Sequence, residues 1–140
     1  MNATIELIKV KAELVLKNNN RMIKENEVLD LLGNEFPQIN QSLEKIANPS
    51  NVYNAISCFA DFTKQLVRNG NFEEVKHCFN VAEKMLVSGN NTVKNAIENG
   101  YVFSISTLID VASPISQKIK GLMTSSLRNE YNRQIRVSGI

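Results

Sequence analysis

The sequence predicts an all-α fold: a compact array of about six or seven antiparallel helices, paired as αα-hairpins in a single domain over residues 1–140. Three observations carry this expectation. Apolar residues recur at the helical spacing of i, i+3/i+4, i+7 in several stretches. Turn-forming residues are scarce, with six Gly and three Pro in 140 residues, while the helix formers Leu, Ala, Lys and Glu are plentiful. Three Gly-Asn dipeptides, Gly33-Asn34, Gly70-Asn71 and Gly89-Asn90, each follow a periodic stretch. A glycine can end a helix in the left-handed conformation, and the following Asn can accept a free amide at the start of the next. Their spacings of 37 and 19 residues predict two helices and then one, nearly equal in length. A composition of 43% apolar and 21% charged residues is that of a folding domain, not of a disordered chain.

Along the chain, Ile5, Ile8, Ala12 and Val15 fit a helix, while Ile8, Val10, Ala12 and Leu14 alternate as a strand would. Residues 1–20 are therefore read as an N-terminal helix whose periodicity is ambiguous. Leu29, Leu32 and Phe36 form a short stripe, after which Pro37 opens a turn carrying Ile39, Leu43 and Ile46. The clearest unit is a central hairpin over 52–87. Ala55, Phe59, Phe62 and Leu66 share one helical face, and Phe72, Val75, Phe79, Ala82 and Leu86 share another, with Asn69-Gly70-Asn71 between them. So short a turn makes the helices antiparallel and places the Phe residues at the centre of the core. Asn71 followed by Glu74 has the spacing of a capping box. Ala96, Val102 or Phe103, and Ile109 predict a buried helix over 92–112 with a close-packing Gly100. Ser113-Pro114 suits an N-cap and first helical position, and Leu127, Tyr131 and Ile135 mark a last amphipathic helix after Gly121.

The central hairpin resembles a tetratricopeptide-type helix-turn-helix unit at Gly70, Phe72, Phe79 and Ala82, departing from it at Thr63 and Val75. That resemblance implies superhelical stacking of the helix pairs. More broadly, Phe36-Pro37, Gly70-Asn71-Phe72, Gly89-Asn90, the run from Val93 to Asn99, and Leu127-Arg128-Asn129-Glu130-Tyr131 resemble an uncharacterised bacterial all-helical domain family over about Leu29 to Gln134. The resemblance implies a compact helical domain and brings with it no activity, ligand or functional residue.

The chemistry-bearing residues mostly have structural readings. His77 and Cys78 are adjacent, so on a helix they point about 100° apart and do not form a nucleophile–base pair. Cys78 falls in line with Val75, Ala82 and Met85, and Cys58 lies between Ala55 and Phe62, so both are read as reduced core thiols. In the hairpin their heights differ by roughly 6 Å, which disfavours a disulfide. The acidic pair Glu73-Glu74 sits where a helix N-terminus favours negative charge. The chain contains no phosphate-binding loop, dinucleotide fingerprint, nucleophile elbow or HExxH helix. No catalytic residue, cofactor or metal ligand is assigned, and the expectation is a non-enzyme.

One segment invites a functional reading. Residues 114–140 carry Lys118, Lys120, Arg128, Arg133 and Arg136 against the single acid Glu130. With Tyr131, these five cations are the candidate partner-binding residues, best suited to an acidic protein surface. One aromatic is too few for a single-strand nucleic-acid platform, and an ordinary solvated helix is the structural alternative. The resulting expectation is a non-catalytic interaction module that binds a protein or peptide in a groove between helices. The alternatives are a toxin-neutralising or regulatory partner protein and, from another class, an enzyme with an unrecognised pocket. Charges at Glu6, Lys9, Lys11 and Glu13 interrupt any apolar leader, and the cysteines lack CxxC spacing. A soluble, cytoplasmic protein is expected.

Overall fold

The computed structural model describes residues 22–46, 48, 51–109 and 113–137; the ambiguous N-terminal stretch lies outside them. Seven helices are found among the described residues: α1 (Glu25–Glu35), α2 (Asn40–Glu44, entered through the 3₁₀ turn Pro37–Ile39), α3 (Val52–Arg68), α4 (Phe72–Ser88), α5 (91–106), α6 (Pro114–Leu122) and α7 (Ser125–Val137). No strand occurs among the described residues, although one isolated parallel bridge joins Ile23 to Gly89. The fold is an all-α array.

The α3–α4 hairpin closes as the sequence predicts. Gly70 adopts φ +74°, the Gly70 N–H donates to the Val67 carbonyl at 3.1 Å, and the Asn71 N–H donates to the Leu66 carbonyl at 2.9 Å. These two bonds form a Schellman motif with glycine in the left-handed position. Asn71 is thereby shared between two helix ends, and its side chain makes no capping bond to α4, so the expected capping box is absent. Asn90 does cap: its Oδ1 accepts the Val93 N–H at 3.0 Å. Ser113 does the same for α6, its Oγ accepting the Ser116 N–H at 3.1 Å, with Pro114 at the first helical position.

The other two glycines depart from the expected helix-ending role. Gly89 is extended, with φ −72° and ψ 156°; a Cβ there would strike the Met85 carbonyl and lie 2.6 Å from Val93 Cγ1. Close approach, not left-handed backbone, requires this glycine. Gly33 lies inside α1, which continues to Glu35. The helix stops before Pro37, whose ring disfavours helical backbone at Phe36; Phe36 takes φ −133° and ψ 77°. The expected near-equal helices are also revised, since the five-residue α2 and the 17-residue α3 occupy the interval between Gly33 and Gly70.

An aromatic column runs through the core. Phe36 stacks on Phe59 at 5.4 Å, Phe59 on Tyr101 at 4.5 Å, and Phe79 meets Tyr101 edge-on at 6.5 Å between ring centroids. Phe62 and Phe72, expected at the centre, are only partly buried at its edge. Phe103 is 61% exposed, and Val102 takes the inward position.

The choice of Val102 over Phe103 follows from a π-helical turn, Ile97–Val102, within α5. Val93, Ile97, Tyr101, Ile105 and Ile109 are all buried, so the inward residues recur every four positions. In an α-helix each such step rotates the face by about 40°. A wider turn cancels that drift and keeps the row on the core while Phe103 turns outward. Gly100 packs closely here as predicted, with its hypothetical Cβ 3.3 Å from Ile56 Cγ2.

Candidate partner-binding groove

The functional question centres on where the five C-terminal cations and Tyr131 lie, and this depends on how α6 and α7 are held. Ile119 of α6 and Leu127 and Tyr131 of α7 are buried against the core. Between the two helices Met123 is extended, with ψ 134°. The start of α7 is fixed from α4: Glu83 Oε1 accepts the backbone N–H groups of Ser126 at 3.0 Å and Leu127 at 3.2 Å, and the Thr124 hydroxyl at 2.5 Å. Farther along, Gln134 donates through Nε2 to the Glu98 carbonyl at 2.7 Å. That bond ties α7 to the π-turn of α5.

This docking gives α7 two working faces. Arg128, Tyr131, Asn132 and Ile135 lie on one, and with Gln117, Lys120, Gly121 and Met123 they line a groove of about 380 Å³ between α6 and α7. Arg128 Nη2 donates at 2.6 Å to the Lys120 carbonyl, which also accepts the Met123 N–H at 3.2 Å, and so places its positive charge at the C-terminal end of α6. The opposite face carries Arg133, Gln134 and Val137, which with Asn99 and Phe103 line a separate depression of about 240 Å³. There Arg133 makes a bidentate pair with Glu130, Nε to Oε1 at 2.9 Å and Nη2 to Oε2 at 2.6 Å. The Arg133 hydrogen bonds hold the Glu130 carboxyl below the usual carboxylate range against an opposing effect of burial, with help from Gln134.

The six sequence-nominated residues therefore separate. Lys120, Arg128 and Tyr131 come together in the groove. Lys118 points away from it, its Nζ 4.4 Å from the Phe72 ring centroid in a cation–π contact. Arg133 is neutralised on the far face, and Arg136 is exposed outside the groove lining. Gln117, Gly121, Met123, Asn132 and Ile135 were not nominated, although helical spacing carried the signal. Sorting 117, 120 and 121, and 128, 131, 132 and 135, by helix face groups the lining residues and leaves out Lys118 and Arg133.

The remaining reactive groups are engaged elsewhere. His77 and Cys78 diverge as expected. His77 Nε2 lies 2.9 Å from Glu35 Oε2, and its ring packs on Phe36 at 4.7 Å. Cys78 faces the core, where burial, against a Thr63 hydrogen bond, pushes its thiol up to about 12. Both cysteines are free thiols. Cys58 departs from its core assignment: it is half-buried and lines a depression of about 680 Å³ between α2 and α3, with Ser42 and Asp61 nearby. Burial raises its thiol pKa, and the Asp61 charge adds to the rise against a Ser42 hydrogen bond. Among the described residues no three His, Cys, Asp or Glu side chains converge to hold a metal, and no helix is long and apolar enough to cross a membrane.

The family described as Domain of unknown function (DUF7674) matches residues 29–138. The chain belongs to this family. The DUF7674 span begins within α1 and takes in the central hairpin, the π-turn, Glu83 and the whole α6–α7 groove, close to the 29–134 interval of the resemblance seen in the sequence. No curated protein and no solved structure matches the chain.

Proposed function

We propose that this DUF7674 domain is a non-catalytic helical interaction module that binds a protein or peptide in the α6–α7 groove. The observation that carries the reading is the joint placement of Lys120 and Arg128 beside Met123, Tyr131 and Ile135 in one groove of about 380 Å³. Cationic groups beside apolar surface are the usual ingredients of a peptide site, the first giving orientation and the second affinity. The non-catalytic part draws support from the state of the reactive groups. Both thiols are disfavoured as thiolates, and His77 is engaged by Glu35.

A photo-crosslinking residue placed at Gln117 or Asn132, on the groove, and at Tyr53, exposed on α3, tests the reading in the native cell. The groove positions should capture a discrete polypeptide that Tyr53 does not. The same captured species from all three positions would overturn it.

A further inference from the structure

Among the described residues the α6–α7 groove is lined by cations without an opposing acid and has one bare wall, and together these features specify an occupant. None of the described lining residues is acidic. Glu130, the nearest acid in the α7 sequence, is turned to the other face and bonded to Arg133 and Gln134, and Glu83 is engaged by the first turn of α7. The bare wall is Gly121. A glycine inside a helix destabilises it relative to alanine, yet nothing in the fold requires this one. Among the described glycines, positive φ occurs at Gly70, and a Cβ at Gly121 would meet no atom within 4 Å. The missing side chain leaves α6 open to close approach by another backbone.

We infer that the groove takes an acidic peptide segment of a partner protein, its main chain passing over Gly121, its carboxylates meeting Lys120 and Arg128, and an apolar side chain resting on the partly buried Ile135. This rests on the proposal that the groove is the protein-binding site. A nucleic acid fits less well. It would meet two cations, Lys120 and Arg128, few for a phosphate backbone. The one aromatic among the described lining residues, Tyr131, is only 7% exposed and offers no ring face for stacking.

The test uses the full chain and a fluorescent peptide of alternating Glu and Leu, followed by anisotropy at low salt. Lys120→Glu should weaken binding by about tenfold or more, since it reverses a charge facing the ligand. Lys118→Glu makes the same change in net charge on the Phe72 side and should leave binding within about twofold of wild type. Gly121→Leu adds a side chain to the groove wall at constant charge, its Cβ meeting no atom within 4 Å, and should weaken binding as Lys120→Glu does. Circular dichroism of each variant separates lost binding from lost fold, and Gly121→Leu and Lys120→Glu report independently. Equal losses from Lys118→Glu and Lys120→Glu would mean diffuse attraction and overturn the inference. So would wild-type binding by Gly121→Leu, or tighter binding of an oligothymidylate than of the peptide. No peptide binding alongside groove-specific crosslinking overturns the acidic occupant and leaves the interaction site standing; failure of both overturns both.

Discussion

Glu83 of α4 caps a helix to which it does not belong: its Oε1 accepts the backbone N–H of Ser126, at 3.0 Å, in the first turn of α7. Leu127 N–H and the Thr124 hydroxyl share the same oxygen. One carboxylate thus satisfies amides that the helix cannot satisfy itself and supplies the negative charge its N-terminus favours. Because α7 forms one side of the α6–α7 groove, this contact also sets the groove's shape.

Glu83→Ala should therefore destabilise the domain by about 1–2 kcal/mol, the scale of a lost helix cap, as read by chemical denaturation at neutral pH. Burial works to raise the Glu83 pKa, but the bonds from Ser126, Thr124 and Leu127 outweigh it and hold the carboxyl below its ordinary value. A lowered folded-state pKa contributes stability that is fully present above the unfolded value of about 4.3 and is lost as pH falls through the folded one. Wild type should lose stability on acidification over that window more steeply than Glu83→Ala. Parallel pH profiles would show that the carboxylate is not the operative cap.

Thr63 and Tyr101 form a buried polar pair in the core. The Thr63 hydroxyl donates to the Phe59 carbonyl at 3.0 Å, which leaves Tyr101 to donate to Thr63 Oγ1 at 2.8 Å. Thr63→Val should cost about 1–3 kcal/mol by stranding the Tyr101 hydroxyl in an apolar interior. Tyr101→Phe removes that stranded group. The double variant should be less destabilised than the sum of the two single changes by about 0.5 kcal/mol or more. Strict additivity in denaturant melts would show that the pair is not coupled.

The aromatic residues should rank by burial and not by their place in the sequence stripe. Phe59→Ala and Phe79→Ala each empty a fully buried site and should cost about 3–5 kcal/mol. Phe62→Ala, at the partly buried edge, should cost less than either. Phe103→Ala, 61% exposed, should stay within about 0.5 kcal/mol of wild type. Equal losses at Phe59 and Phe103 in urea titrations would contradict the π-turn register of α5.

The two thiols should react in order. Cys58 lines an open depression and should label slowly in the native state. Cys78, fully buried with its pKa near 12, should label only as the protein opens, at a rate that rises with denaturant. Mass spectrometry of partly labelled protein distinguishes the two, and early labelling of Cys78 would contradict its place in the core.

The sequence by itself determined the helical class, the α3–α4 hairpin with its Gly70 turn, the Asn90 and Ser113 caps, and the divergence of His77 from Cys78. Each depends on residues close in the chain, where backbone geometry and the 3.6-residue period act directly. It also marked Lys120, Arg128 and Tyr131, but only within an undivided basic segment. Tertiary structure decided the division. Spacing along α7 already pairs Arg133 with Glu130 three residues before it, but whether a cation faces the groove or the Phe72 ring depends on the rotation of α6 and α7 about their axes, and Glu83, 43 residues before Ser126, together with the Glu98 carbonyl sets that rotation for α7. Nor could periodicity reveal that Phe103 turns outward. The π-turn inserts its extra residue where Tyr101 stacks on Phe59 and bonds to Thr63, and those contacts exist only once α3 and α5 have packed.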